Sequence, residues 1–290
     1  MKRSCIFTYL FIAVCTLIAI FPFLFVFTNS FMSMNEITNR YTKGITSENK
    51  NELHSDQIHF VNTSLIPKNF SLEQYKNLFF ENTELLRYLG NSVRLVIPII
   101  IGQCLIAPLG AFGFENLNFK FKEIIFFIYI IVMLMPMQLL MVPNFIVAGW
   151  LNIRNSYLAI ILPAMFHPVG IFLLRQQIKG FPKETLEAAR IDGAGEFTVF
   201  RKIMRPNIAS TIAALVVLLF ADNWNIVDQA VVFIQDASNM PMSVMLNQIA
   251  GFQPQIFFAV SCIFVAPALL VFFFGQDYLV EGISLSGIKL

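Results

Sequence analysis

The run Gly180-Phe181-Pro182-Lys183-Glu184-Thr185-Leu186-Glu187-Ala188-Ala189-Arg190-Ile191-Asp192-Gly193-Ala194-Gly195 reads as a short helix stopped by glycine, set between strongly apolar stretches. Pro182 suits the first turn of a helix, where its missing N–H has no partner to lose. Glu184 and Glu187 complement the positive N-terminal end of the same helix. Gly193 and Gly195 argue against continuation, since each glycine in a helix interior costs about 1 kcal/mol relative to alanine. The run therefore predicts a helix over Thr185 to Asp192, a glycine turn, and a second helix through Phe197, Phe200 and Ile203, the whole covering residues 184–203. Ala188 and Ala189 leave the backbone bare, so a groove on another protein can approach closely, and Glu187 offers it a charge.

Outward from this loop the chain is dominated by apolar runs. It has 290 residues, of which 57% are hydrophobic and only 13% charged, and its mean hydropathy is +0.68. That is far more apolar surface than one soluble core needs. A bilayer core about 30 Å thick takes roughly 20 apolar residues per helix. Six runs of that kind occur, near Ile6 to Met32, Asn91 to Phe114, Ile124 to Val147, Tyr157 to Leu174, Ile208 to Ile234 and Ile256 to Leu279. The fold class expected is an all-α membrane protein with six transmembrane helices, kinked where Pro136, Pro143, Pro163, Pro168 and Pro267 remove backbone donors.

The charges outside these runs orient them. Lys2 and Arg3 precede the first run, which is too long and lacks the small-residue cleavage site of a signal peptide, so it reads as an anchor with a cytoplasmic N-terminus. Lys120 and Lys122 then fall in one inside loop. Arg175, Lys179, Lys183, Arg190, Arg201, Lys202 and Arg205 fall in the next, while the short loops opposite hold only Arg154. Both termini are thus placed on the cytoplasmic side. The chain divides into residues 1–32, the N-terminus and first helix; 33–87, a long extracytoplasmic region with a short capped helix at Phe70 to Tyr75; and 88–290, a five-helix core carrying the loop.

Several chemistries find no support. The net charge of +2 is scattered rather than gathered into a basic, aromatic-lined face, which argues against nucleic acid as a partner. Cys5, Cys15, Cys104 and Cys262 lie in apolar stretches and behave as small hydrophobes. His54, His59 and His167 have no ligand spacing, so no metal site is assigned. No glycine loop ending in Lys and Ser or Thr is present to cradle a phosphate, so any nucleotide is expected on a partner. A membrane-embedded enzyme would need polar side chains clustered at one depth, and none are seen.

Glu187, Ala188, Ala189, then Gly193, then Ile203, Met204, Arg205 and Pro206 together resemble the EAA loop of ABC importer permeases, the coupling helix that docks in a cleft of the ATPase subunit. Arg205 departs from the leucine usual there. The likeness extends over nearly the whole chain and narrows to carbohydrate-uptake permeases similar to the smaller membrane subunit of the maltose transporter. Phe70 to Tyr75, Asn91 with Ser92, Asn223-Trp224-Asn225 and the tail Tyr278 to Ser284 carry it. Ile226 and Val227 stand where that family has an acidic and an aromatic residue.

The resemblance implies a type I importer architecture in a prokaryotic cell membrane. It also implies a non-catalytic permease that forms half of a pathway for a sugar or oligosaccharide. The partners it implies are a second homologous permease, two ATPase subunits carrying ATP and magnesium, an extracytoplasmic solute-binding protein, and membrane lipid. ATPase coupling would fall to Glu187, Ala188, Ala189, Arg190, Asp192 and Gly193. For Asp222 and Asp228 two roles are open, lining the pathway or capping a helix break near the outer surface. Asn223, Trp224, Asn225 and Gln229 suit either a sugar ring or polar contacts between helices. Gln248, Gly251, Phe252 and Gln253 match the place where such permeases meet the binding protein, or an ordinary turn. A secondary transporter of a small polar solute is the alternative, and it would need coupling-ion sites at broken helices.

Overall fold

A computed structural model of the chain describes residues 2–42, 66–81, 84–252 and 254–286. Among them no β-strand forms, and the secondary structure is helical throughout. Among the described residues, four stretches are long and apolar enough to cross a bilayer: Thr8–Asn29, Glu84–Asn116, Leu158–Lys179 and Gln255–Val280. Two bent pairs, Lys122–Leu134 with Met137–Trp150 and Glu196–Asn207 with Ala209–Trp224, bring the number up to six if each pair is one span.

The first of those pairs differs from the straight span expected at Ile124 to Val147. Helices α1 (Lys2–Asn29), α2 (Met34–Ile37), α3 (Glu73–Lys76) and α4 (Glu84–Asn116) lead to α5 (Lys122–Leu134) and α6 (Met137–Trp150), and the last two meet at 110°. Met135 is extended (φ −72°, ψ 133°) because the ring of Pro136 disfavours helical backbone in the residue before it. The same rule separates α7 (Leu158–Met165) from α8 (Pro168–Lys179): His167 is extended ahead of Pro168, which opens α8. There the buried Gln103 of α4 repairs the break, its Nε2 donating to the carbonyls of Ala164 (2.9 Å) and His167 (3.0 Å). Pro143, Pro163 and Pro267, by contrast, lie inside continuous helices.

Helices α9 (Lys183–Ile191), α10 (Glu196–Val199) and α11 (Arg205–Asn207) precede α12 (Ala209–Trp224) and α13 (Asp228–Phe233). The expected fifth span therefore ends at Trp224 rather than at Ile234. The hydroxyl of Ser243 donates to the carbonyl of Ile226 in the interruption, so a backbone acceptor freed there is satisfied from elsewhere in the chain. Helices α14 (Met242–Phe252) and α15 (Pro254–Ser286) complete the order.

The chain forms two compact units. One comprises Tyr88–Val244 and Pro267–Leu290. Its core gathers Phe112, Phe126, Leu174, Leu186, Phe200, Met204, Ile208 and Leu215. A second cluster joins Leu95, Ile99, Ile160, Phe233 and Val244. Asn91 donates to the carbonyls of Ser238 (2.8 Å) and Met240 (3.0 Å), and Ser92 accepts from the N–H of Met242 (2.9 Å). The pair that opens the second apolar run thus pins the segment after α13. Helices approach closely at Gly170 of α8, where an added Cβ would meet the Gln103 side chain, Ala107 at 2.9 Å and Leu215 at 3.1 Å. Gly170→Val is expected to lower the thermal midpoint in detergent, at a cost of about 1–3 kcal/mol from overpacking. An unchanged midpoint would show that α8 can back away freely.

The other unit comprises Met1–Arg87 and Met245–Ala266. Outside α1, the amide of the fully buried Gln74 donates to the carbonyls of Asn29 (2.9 Å) and Met32 (2.8 Å) and accepts from the N–H of Ala259 (3.3 Å). Glu36 accepts from the N–H groups of Lys68 and Asn69 and pairs with Arg40 at 2.6 Å. The described ends of the long polar region are thereby tied together. The short helix expected at Phe70 begins instead at Glu73, whose N–H donates to the Ser71 hydroxyl. His54 and His59 lie outside the described residues.

Candidate functional site

The glycine-stopped helix forms as read. Its end at Gly193 is fixed by backbone geometry: Gly193 has φ +86°, the left-handed region that costs a side-chain-bearing residue about 1–2 kcal/mol. The N–H of Gly193 donates to Arg190 O and that of Ala194 to Ala189 O, both at 3.0 Å. That paired closure satisfies two carbonyls that a helix end otherwise leaves to water. Beyond it, Arg190 clasps Glu196 at the start of α10 with Nε and Nη2 at 2.8 and 3.2 Å. The hydrogen bond that Arg190 donates to Glu196 raises the Arg190 pKa above its ordinary value.

One face of α9 is held and the other is open. Leu186, only 3% exposed, sits in the same core as Val199, Phe200 and Met204, with Ala189 and Ala194 packed beside them. Glu184, Glu187, Ala188, Asp192 and Gly193 are exposed. So are two large apolar side chains, Ile191 at 86% and Phe197 at 69%. An apolar pair beside a bare alanine and a glycine, rimmed by carboxylates, is a surface that water covers poorly and a protein groove covers well.

Next to this loop, Arg175 near the end of α8 is buried rather than solvated. It pairs with Glu115 and Glu123 at 3.1 Å each, and its guanidinium lies 3.9 Å from the centre of the Phe126 ring. A residue that counts toward the positive inside loop thus joins α4, α5 and α8. Lys122 caps α4, donating to the carbonyls of Glu115 and Leu117.

The second element of the site is a cavity of about 490 Å³ among α5 to α8, α12 and α13. Asp222, Asn223 and Gln229 line it, and Trp224, Asn225 and Asp228 do not. Trp224 is 2% exposed and stacks on Phe220 at 5.0 Å, which places the indole in the bundle. Asn225 turns back to donate to Ala221 O, and Asp228 begins α13. Three further polar residues line the cavity that the sequence did not single out: Tyr129, Asn144 and His167. Asn144 and His167 each neighbour a proline, Pro143 and Pro168, and polar residues beside prolines in apolar runs were the available signal. Among the described residues, no three His, Cys, Asp or Glu side chains gather as a metal site. Gln248 is exposed on α14, Gly251 and Phe252 end that helix, and Gln253 lies outside the described residues.

Residues 105–284, which include the α9 loop and every cavity-lining residue, match the model of the binding-protein-dependent transport system inner membrane component. The chain belongs to this family. Similar proteins within reach of it include the arabinooligosaccharides transport system permease protein AraQ of Halalkalibacterium halodurans. That protein is 30% identical over 226 residues, 77% of this chain and 81% of the relative. The lactose transport system permease protein LacG of Rhizobium radiobacter is 30% identical over 207 residues, 70% and 76% of the two chains. In three dimensions the chain resembles one in the crystal structure of a bacterial ABC transporter involved in import of the acidic polysaccharide alginate. The TM-score is 0.79 at 16% identity, with 96% of each chain covered. The likeness to importer permeases read from the loop is borne out, and the chain is a multi-pass inner-membrane component of a transport system. The secondary-transporter alternative falls away.

Proposed function

We propose that this permease passes a sugar or oligosaccharide and is driven by an ATPase that docks on α9. The observation that carries the reading is the open face of that helix, where Ile191 and Phe197 stand exposed beside Ala188 and Gly193 while Leu186 anchors the opposite side. Glu187 and Glu184 would meet basic groups of the partner, and Gly193 lets its backbone come close. Arabinooligosaccharide and lactose transport in the named relatives supports the solute class. Asp222, Asn223 and Gln229 would be this subunit's share of the pathway. Trp224, Asn225 and Asp228 would shape the break between α12 and α13.

In this reading a second permease completes the pathway, and two ATPase subunits hold ATP and magnesium. An extracytoplasmic binding protein delivers the solute, with the exposed Gln248 on its side of the membrane. The chain itself catalyses nothing. Both termini and residues 184–203 face the cytoplasm, and residues 33–87 lie outside. ATP-driven closure of the ATPase pair moves α9 and rocks the bundle, and it biases transport only because the two states differ in docking and in solute affinity.

A tagged chain purified in mild detergent is expected to bring an ATPase subunit with it. Glu187→Arg combined with Gly193→Val is expected to remove that partner and to lower uptake at least about tenfold with membrane abundance unchanged, the loss typical of a central interface contact. Undiminished uptake by the double variant, or solute movement by the reconstituted chain alone, refutes the docking.

A further inference from the structure

We infer that Asp222 is a specificity-determining residue that excludes anions from the cavity, so that the solute is an uncharged polyhydroxylated molecule rather than a uronate or a sugar phosphate; this rests on the permease reading above. Asp222 lies in the last turn of α12. A carboxylate is unfavourable there, because the C-terminal end of a helix is itself negative. No hydrogen bond or ion pair to Asp222 occurs among the described residues, so capping does not account for it, and the titratable group that feels its charge is the His167 imidazole of the same cavity wall.

Apart from the His167 imidazole, the rest of the polar wall is made of neutral groups. Among the described residues the side-chain amides of Asn144 and Gln229 have no hydrogen-bond partner, and Asn223 donates one N–H to Leu219 O at 2.8 Å. His167 adds an imidazole. Among the described residues no Lys or Arg lines the cavity. A sugar's hydroxyls both donate and accept, so they satisfy a carboxylate and amides together. An anion would have to leave water beside an unpaired carboxylate with no cation to receive it, in surroundings where repulsion is poorly screened.

The test uses the assembled transporter in native membranes, with Cys5, Cys15, Cys104 and Cys262 changed to serine and Gln229→Cys as reporter. Labelling is timed with a cationic trimethylammonium-ethyl methanethiosulfonate and an anionic sulfonatoethyl methanethiosulfonate. At pH 8 the ordinary imidazole is uncharged. The cation-to-anion rate ratio, divided by that of a free thiol, is expected to be at least about tenfold. It should fall toward unity in Asp222→Asn and persist in Asp222→Glu, which keeps the charge and guards against a folding artefact. An equal ratio in wild type and Asp222→Asn overturns the inference, and so does chain-dependent uptake of radiolabelled trigalacturonate. If the ratio behaves as stated but the chain brings no ATPase in the co-purification, the permease reading fails while the exclusion of anions stands.

Discussion

Leu186→Asp is expected to abolish uptake, by about 100-fold or more, while leaving the membrane bundle folded. Leu186 is the inward anchor of α9, and a carboxylate at its place cannot stay in a core shared with Val199, Phe200 and Met204 without a partner. Releasing a nine-residue helix costs less than unfolding spans. The substitution therefore frees α9 from the bundle and leaves any docked ATPase with nothing rigid to push. Hydrogen exchange gives the direct readout: amides of residues 185–192 should lose protection while those of α4 and α12 keep theirs. Retained protection over α9, or uptake within twofold of wild type, would falsify this account of the anchor.

Arg175→Met should act on stability instead. The Arg175 and Glu115 side chains are only 11% and 13% exposed, whereas Glu123 is 73% exposed and can turn to water. Removing the guanidinium leaves Glu115 buried and uncompensated, a change that costs about 3–5 kcal/mol when one partner of a buried pair is deleted. A marked fall in the thermal midpoint in detergent is expected. Adding Glu115→Gln should restore much of it, because a neutral amide needs no counter-ion. A double variant no better than the single one would show that the stacking of Arg175 on Phe126, not the ion pair, holds the three helices.

The α9 loop was legible because everything that shapes it is local: Pro182 before the first turn, carboxylates in it, and a glycine where the backbone must turn left-handed. The spans were legible by apolar length. Their interruptions were less so. A proline in an apolar run is compatible with a gentle kink, as at Pro143, or with the 110° corner at Pro136. The end of α12 has neither proline nor glycine, and its freed carbonyl is met by Ser243, seventeen positions away. At the cavity, nearness along the chain groups Asp222 with Trp224. Two helical positions differ by about 200° of rotation, so those side chains take opposite sides of α12. Phe220, one turn before Trp224, marks the buried side. Asn144 and His167 join the cavity from distant parts of the chain, and no spacing within the sequence could bring them together.

The 70° corner between Glu196–Asn207 and α12 gives the bundle the form of a bell crank. One arm is stiffened by the Arg190–Glu196 clasp and seated through Met204 and Ile208. The other arm is a rod of 16 residues, about 24 Å long, with Asp222 and Asn223 at the tip. On the proposed docking, a sideways nudge delivered at the membrane's inner margin becomes a swing of that tip, so the pathway wall can be repositioned without stretching a single helical hydrogen bond.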